Sequence, residues 1–267
     1  MNYDQAVAQV KSSADASSFD IQSVSRVGQI LALYGPLTTD LTAADVADRL
    51  GLNRTTAYRY CTSMVAAGIL ERGHRRGTFV LGALLMQLGI QSLGRQRVVE
   101  IAPNHLAALS ADVGATAVLS LWGAAGPVVT LVREDTSRTV VVTVRPGTHL
   151  GVNSAQMRVF LAYLPDADVI ARMTAPLSSA ERTEIETDAY AARRSGYSTL
   201  RLPDGVFSAA APVFDESGIC ATVALLGAEQ GFPAGSPALN RLVETAKTIS
   251  SELSTAREDP PDATDVR

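Results

Sequence analysis

Apolar positions recur along this chain with two different periods. From Ser23 to Tyr34, residues Val24, Val27, Ile30, Leu31 and Tyr34 return every three or four positions, which predicts a helix burying one face. Gly35-Pro36 stops it. Thr42 with Asp45 three residues on reads as a capping box. Val46, Ala47 and Leu50 then complete a short second helix, ended by Gly51. Asn53 is placed to cap a third helix that runs to Gly68. After it the period changes. Ile69–Arg72 and Thr78–Leu81 are β-prone and flank a turn holding Gly73 and Gly77, which reads as a hairpin. Three helices with a tight turn between the second and third, then a hairpin, predict a winged helix-turn-helix.

The stretch "ALLMQLGIQSLGRQ", Ala83 to Gln96, reads as a further, linking helix, and Val98–Val113 as an amphipathic one. Strand-like runs follow at Thr116–Trp122, Pro127–Arg133 and Thr139–Arg145. A helical middle comes next, at Ser154–Tyr163, Asp166–Met173 and Ser178–Ser195. Strand runs at Ser208–Phe214 and Ile219–Leu226 precede a last helix from about Ser236 to Ala256. Strands at both ends with helices between argue an α+β domain with a largely antiparallel sheet, not a doubly wound one. The expected organisation is a leader (1–20), a winged helix-turn-helix domain (21–82), a linker helix (83–96), an α+β domain (97–257) and an acidic tail (258–267).

Composition adds little to this: 46% hydrophobic and 19% charged residues are ordinary for a globular chain. The two cysteines, Cys61 and Cys220, form no disulfide framework. The first 20 residues carry Asp4, Lys11 and Asp15 and no apolar core, so they do not read as a signal peptide. No apolar run approaches the ~18 residues of a membrane span. The cytoplasm is the expected location, with no membrane partner.

Charge changes the picture more. The formal net charge is −4, yet from Arg49 to Arg97 eight arginines stand against Glu71 alone. A local excess of this kind matters more to a polyanion than the global sign. On the third helix, at 100° per residue, Ala57, Tyr60, Cys61, Met64 and Val65 fall on one side as the core stripe. Thr55, Tyr58, Arg59 and Thr62 fall opposite, near the N-terminus, where a recognition helix meets base edges. Arg59 suits a guanine edge or a phosphate, Thr55 and Thr62 a phosphate or thymine methyl, and Tyr58 a phosphate. At the wing tip, Arg75 and Arg76 suit a narrowed minor groove or flanking phosphate. Nucleophile-elbow, Walker, dinucleotide and zincin motifs are absent, and His74, His105 and His149 are far apart. No catalytic residue, metal site or cofactor is expected.

With these residues in view, the chain resembles the IclR-type bacterial transcriptional regulators. The resemblance rests on "SVSRVGQILAL", "LTAADVADRLGLNRTTAYRY", "GILERG…FVLG", "RRSGY" and "AAPVFDESG". It implies a GAF-like effector domain after the winged helix, homodimers or tetramers on a double-stranded operator, and control of catabolic operons by small organic acids. By position it assigns DNA reading to Arg54, Thr55, Thr56, Tyr58 and Arg59, with Tyr58 where many members have His. The implied effector pocket takes three pieces. The first runs through Leu150, Val152, Asn153, Ser154, Ala155 and Gln156. The second follows the "GY" pair, where Arg201 stands near the place of a missing acidic wall. The third carries Ser208, Ala224 and Leu226, more apolar than is common. An apolar or aromatic carboxylate is therefore the expected effector, held by amides near Ser154–Gln156 and by Arg201. Simple N-capping is the other reading of Asn153 and Ser154. Two rival functions stand beside this one: a sensor module acting through a protein partner, and an enzyme acting on its pocket ligand.

Overall fold

The computed structural model describes residues 21–136, 141–202, 205–228 and 232–255. The expected leader 1–20 and tail 258–267 lie outside these residues. The chain falls into two compact units that part between Gln96 and Arg97.

The first unit runs α1 (Gln22–Leu31), β1 (Leu41–Thr42), α2 (Ala43–Leu50), α3 (Arg54–Ala66), β2 (Leu70–Arg72), β3 (Thr78–Leu81) and α4 (Ala83–Leu93). Local chemistry sets most of these limits. Thr42 and Asp45 form the capping box of α2, each side chain accepting from the other residue's backbone N–H. Gly51 closes α2 in the left-handed conformation at φ 66°, which glycine adopts without steric cost. Asn53 caps α3 by accepting from Thr56 N at 2.7 Å. Helix α1 stops at Leu31, before Tyr34, because Gly35 and Thr38 pair with each other in a tight turn. Leu33 and Tyr34 still reach the core from that turn. One strand was not expected: Leu41 of β1 pairs with Phe79, so the wing sheet has order β1-β3-β2, antiparallel throughout.

The wing also fixes the start of α4. A Cβ on Gly82 would stand 2.4 Å from the Gly68 carbonyl oxygen, so only glycine fits this close approach. Glu71 accepts from Ala83 N at 2.8 Å and so caps a helix whose N-cap residue has no side chain.

The second unit runs α5 (Arg97–Val113), β4 (Thr116–Gly123), β5 (Gly126–Arg133), α6 (Ala155–Tyr163), α7 (Ala167–Thr174), α8 (Ser179–Ser195), β6 (Ser198–Arg201), β7 (Phe207–Asp215), β8 (Gly218–Gly227) and α9 (Pro237–Thr255). The sheet is antiparallel throughout, in the order β5-β4-β8-β7-β6. Its outer face buries Leu119, Val213, Val223 and Leu225 against Leu106 and Leu109 of α5 and Leu242 and Ile249 of α9. Its inner face buries Val118, Val129, Ala210 and Ala224 against Ala155 and Val159 of α6. Every residue of α6 from Ala155 to Ala162 is buried, because α7 and α8 cover its far side through Met173 and Ile185. Arg158 of α6 is buried too, and it is tolerated there by pairing with Glu184 and Asp188 of α8.

Two strand expectations are corrected. In the run Thr139–Arg145 the first two residues lie outside the described set, and 141–145 form no strand. The fifth strand is instead β6, four residues at the sheet edge with two exposed positions, which carry little hydrophobic signal. No helix among the described residues is long and apolar enough to cross a membrane.

Thr42→Ala removes the capping box and is expected to destabilise the first unit by about 0.5–2 kcal/mol, read by denaturant unfolding. The Thr42 side-chain and backbone hydrogen bonds hold the Asp45 carboxyl below its ordinary pKa. That contribution is complete above the ordinary carboxylate range and is lost as pH falls through the lowered folded value. The deficit of the variant therefore shrinks in acid; a deficit unchanged there counts against the capping box as its source.

Candidate nucleic-acid interface and effector site

Helix α3 buries a narrow seam of Ala57, Cys61 and Met64 and leaves the opposite side open. Arg54, Thr55, Tyr58 and Arg59 are exposed, and Thr62 is half-buried. Tyr60 and Val65, expected in the core stripe, pack only partly against it. Thr62 donates to the carbonyls of Tyr58 and Arg59, which turns its hydroxyl hydrogen back into the helix. Thr56 is half-buried and lines, with Arg59, a groove of about 580 Å³ between α1 and α3. The predicted residues thus separate. Thr55 and Arg59 point outward, Tyr58 leans toward the wing, and Thr56 faces α1.

Tyr58 is held by a residue that sequence reasoning did not single out. The Arg72 guanidinium of β2 lies 5.7 Å from the Tyr58 ring centroid and 4.7 Å from that of Phe79. Its Nη2 sits 3.4 Å from the Tyr58 hydroxyl. The only signal for Arg72 was its membership of the arginine-rich stretch. At the wing tip the two arginines differ. Arg75 is engaged by Asp40 in a two-pronged pair, with Nε to Oδ2 at 3.0 Å. Arg76 is exposed beside it.

In the second unit, the resemblance-derived residues also separate. Ala155, Ala224, Leu150 and Leu226 meet in one cluster between sheet and α6. Ser208 is buried and pairs with Leu226. Gln156 is buried and accepts from Thr222 Oγ1 at 3.0 Å. Val152 packs instead with Met157 and Leu161. Ser154 is the N-cap of α6: it accepts from Met157 N at 3.1 Å and donates to Gly151 O at 2.8 Å. Asn153 is exposed. Arg201 stands apart from the cluster. It is exposed, stacks over Phe207 at 5.1 Å, and alternates with Leu200, which is the residue that faces α6. Sequence reasoning missed Ser120 and Thr222, opposite one another on β4 and β8 and both fully buried. Polar residues inside an apolar alternation were the available signal. Cys220 is inert: burial, foremost, and Asp215 push its thiol up to about 12. Among the described residues no three His, Cys, Asp or Glu side chains gather where they could hold a metal ion.

A capped helix with an open polar face beside a two-stranded wing defines a winged helix-turn-helix DNA-binding protein. Residues 23–74 match the model of the IclR helix-turn-helix domain. The chain is similar to the glycerol operon regulatory protein of Streptomyces griseus, 28% identical over 252 residues, covering 89% of this chain and 98% of that one. It is also similar to the HTH-type transcriptional regulator XynR of Escherichia coli, 26% identical over 217 residues, covering 77% and 85% of the two chains. Its fold matches the crystal structure of an IclR homolog from Microbacterium hydrocarbonoxydans complexed with 4-hydroxybenzoate, at TM-score 0.70 and 22% identity, over 89% of this chain and all of that one (100%). The chain thus carries an IclR-type helix-turn-helix domain, and the relatives it matches over most of their length are transcriptional regulators.

Asp40 holds the Arg75 guanidinium; if Arg75 meets the DNA backbone, Asp40→Asn frees it for phosphate and is expected to tighten binding to non-specific duplex DNA. It should also steepen the dependence of log K on log salt by about one unit. Fluorescence anisotropy across a salt series reads both. An unchanged slope would place Arg75 away from the DNA backbone.

Proposed function

We propose that this regulator reads an operator through Thr55 and Arg59 of α3, supported by Arg54, Thr56, Tyr58 and Thr62, with Arg75 and Arg76 of the wing on the flanking backbone. The observation that carries this reading is the open face of α3, which is capped, free of carboxylates and set beside arginines of the wing. The proposed organisation is a DNA-binding domain (21–82), α4 as part of a linker (83–96) and an effector domain (97–257). The protein acts in the cytoplasm on a catabolic operon.

The effector is an apolar or aromatic acid bound between the sheet and α6. The apolar lining of Leu150, Ala155, Ala224 and Leu226 supports this, as does the 4-hydroxybenzoate bound by the Microbacterium hydrocarbonoxydans homolog. A ligand shifts operator affinity only as far as it prefers one arrangement of the protein over another.

A second copy of the chain is the partner. Leu84, Met86, Leu88, Ile90 and Leu93 of α4 are all exposed, and no residue of α4 is buried. A helix this apolar is stable in water only when something covers it. The groove between α1 and α3, with Val24, Val27, Met64 and Ile69 in its lining, offers further apolar surface. Two copies also match the two half-sites of a pseudo-palindromic operator.

Arg59→Ala tests DNA reading. Specific operator affinity should fall by roughly ten-fold or more, the value of a bidentate base contact, while ligand binding stays intact. Retained footprinting by that variant refutes the assignment. Ile90→Glu tests assembly: sedimentation should show a monomer that remains folded. A dimer of undiminished stability moves the interface elsewhere.

A further inference from the structure

We infer that Ser120, Thr222 and Gln156 form a polar subsite between the sheet and α6 that receives an uncharged hydroxyl or carbonyl oxygen of the effector; this rests on the effector-binding reading above. Ser120 and Thr222 are antiparallel partners on the face where Val118 and Ala224 also pair, so all four look toward α6. Thr222 donates its hydroxyl to the Gln156 carbonyl oxygen, which ties β8 to the second residue of α6. Ser120 Oγ has no hydrogen-bond partner, although its residue is entirely shielded from solvent. A buried hydroxyl left unpaired destabilises the fold that holds it, and alanine would fit the same strand position. Retaining serine there is explained if a ligand supplies the missing partner.

The surroundings decide the chemistry of that partner. Ser120, Thr222 and Gln156 are all neutral. The nearest cation along α6, Arg158, is engaged by Glu184 and Asp188. Arg201 lies exposed over Phe207. A carboxylate beside Ser120 would be desolvated with no counter-charge. A hydroxyl or carbonyl oxygen accepts from the Ser120 hydroxyl without that cost. Two residues along β4 on the same face, Trp122 packs at a 57° tilt against Phe160 of α6, centroids 5.2 Å apart, an aromatic wall suited to a ring. The class of ligand is thus a hydroxy- or oxo-substituted aromatic acid, its neutral oxygen at Ser120 and its carboxylate away from it.

The test uses the full chain with 4-hydroxybenzoate and benzoate as paired probes, by calorimetry and thermal melting. Ser120→Ala should raise the melting temperature of the free protein by about 2–4 °C, since it removes the unpaired hydroxyl. It should weaken 4-hydroxybenzoate binding about ten-fold and leave benzoate binding unchanged. Thr222→Val, which keeps the side-chain shape, should show the same discrimination between the two acids. No gain in melting temperature for Ser120→Ala means the hydroxyl is already satisfied and overturns the inference. Equal losses for both acids overturn it as well, while leaving the effector reading intact. Binding of neither acid by the unaltered protein overturns the aromatic-acid reading and the subsite with it.

Discussion

The seating of α3 on three small or flexible side chains is the contact on which the DNA-facing half depends. Ala57, Cys61 and Met64 are buried, and Tyr60 and Val65 pack only partly beside them. A seam so narrow leaves most of the helix circumference outside. It therefore fixes, residue by residue, which side chains stay open: at 100° per position Thr55 and Arg59 point outward once Ala57 and Cys61 point in. The burial of Cys61 raises its thiol pKa, so this residue serves as packing and not as a reactive group. The wing then completes the surface, since Arg72 reaches back across Phe79 to hold Tyr58.

The second unit solves a different packing problem. Its sheet is covered on both faces, so its strands cannot show a polar face to water, and alternation along them separates two kinds of apolar surroundings instead. On β8, Ala221, Val223 and Leu225 meet α5 and α9, while Ala224 meets α6. Thr222 is the polar exception on that second face. The same argument accounts for α6, whose buried face extends all round because the sheet lies on one side and α7 and α8 on the other.

Much of the architecture was legible because it is written in local chemistry. The Thr42–Asp45 box, the left-handed Gly51 and the Asn53 cap each depend on residues within four positions of one another. Features that depend on distant partners were not legible. Strand β6 carries only the pattern "STLR" and exists because Ser208 and Ala210 of β7 offer it a ladder. Strand β1 exists because Phe79 lies beside Leu41. The β-branched run near Val141 has strong intrinsic preference for a strand, but its described part finds no ladder; Thr116 donates to the Val142 carbonyl and Thr143 to the Glu134 carboxylate instead. At the sites, the α3 face could be derived from periodicity. The engagement of Arg75 by Asp40, 35 residues away, could not. Nor could the exposure of Arg201, because its side of the sheet follows from pairing register.

The lone carboxylate in the arginine-rich stretch has a mechanical meaning. Glu71 belongs to the wing and grips the first amide of α4, while Gly82 presses against the backbone at Gly68 and Ile69. The base of α4 is thus clamped, even though none of its side chains is buried. Such a helix behaves as a spar rooted in the wing: its bearing is set at the root, and a torque applied along its length is delivered to β2 rather than dissipated in a loose joint.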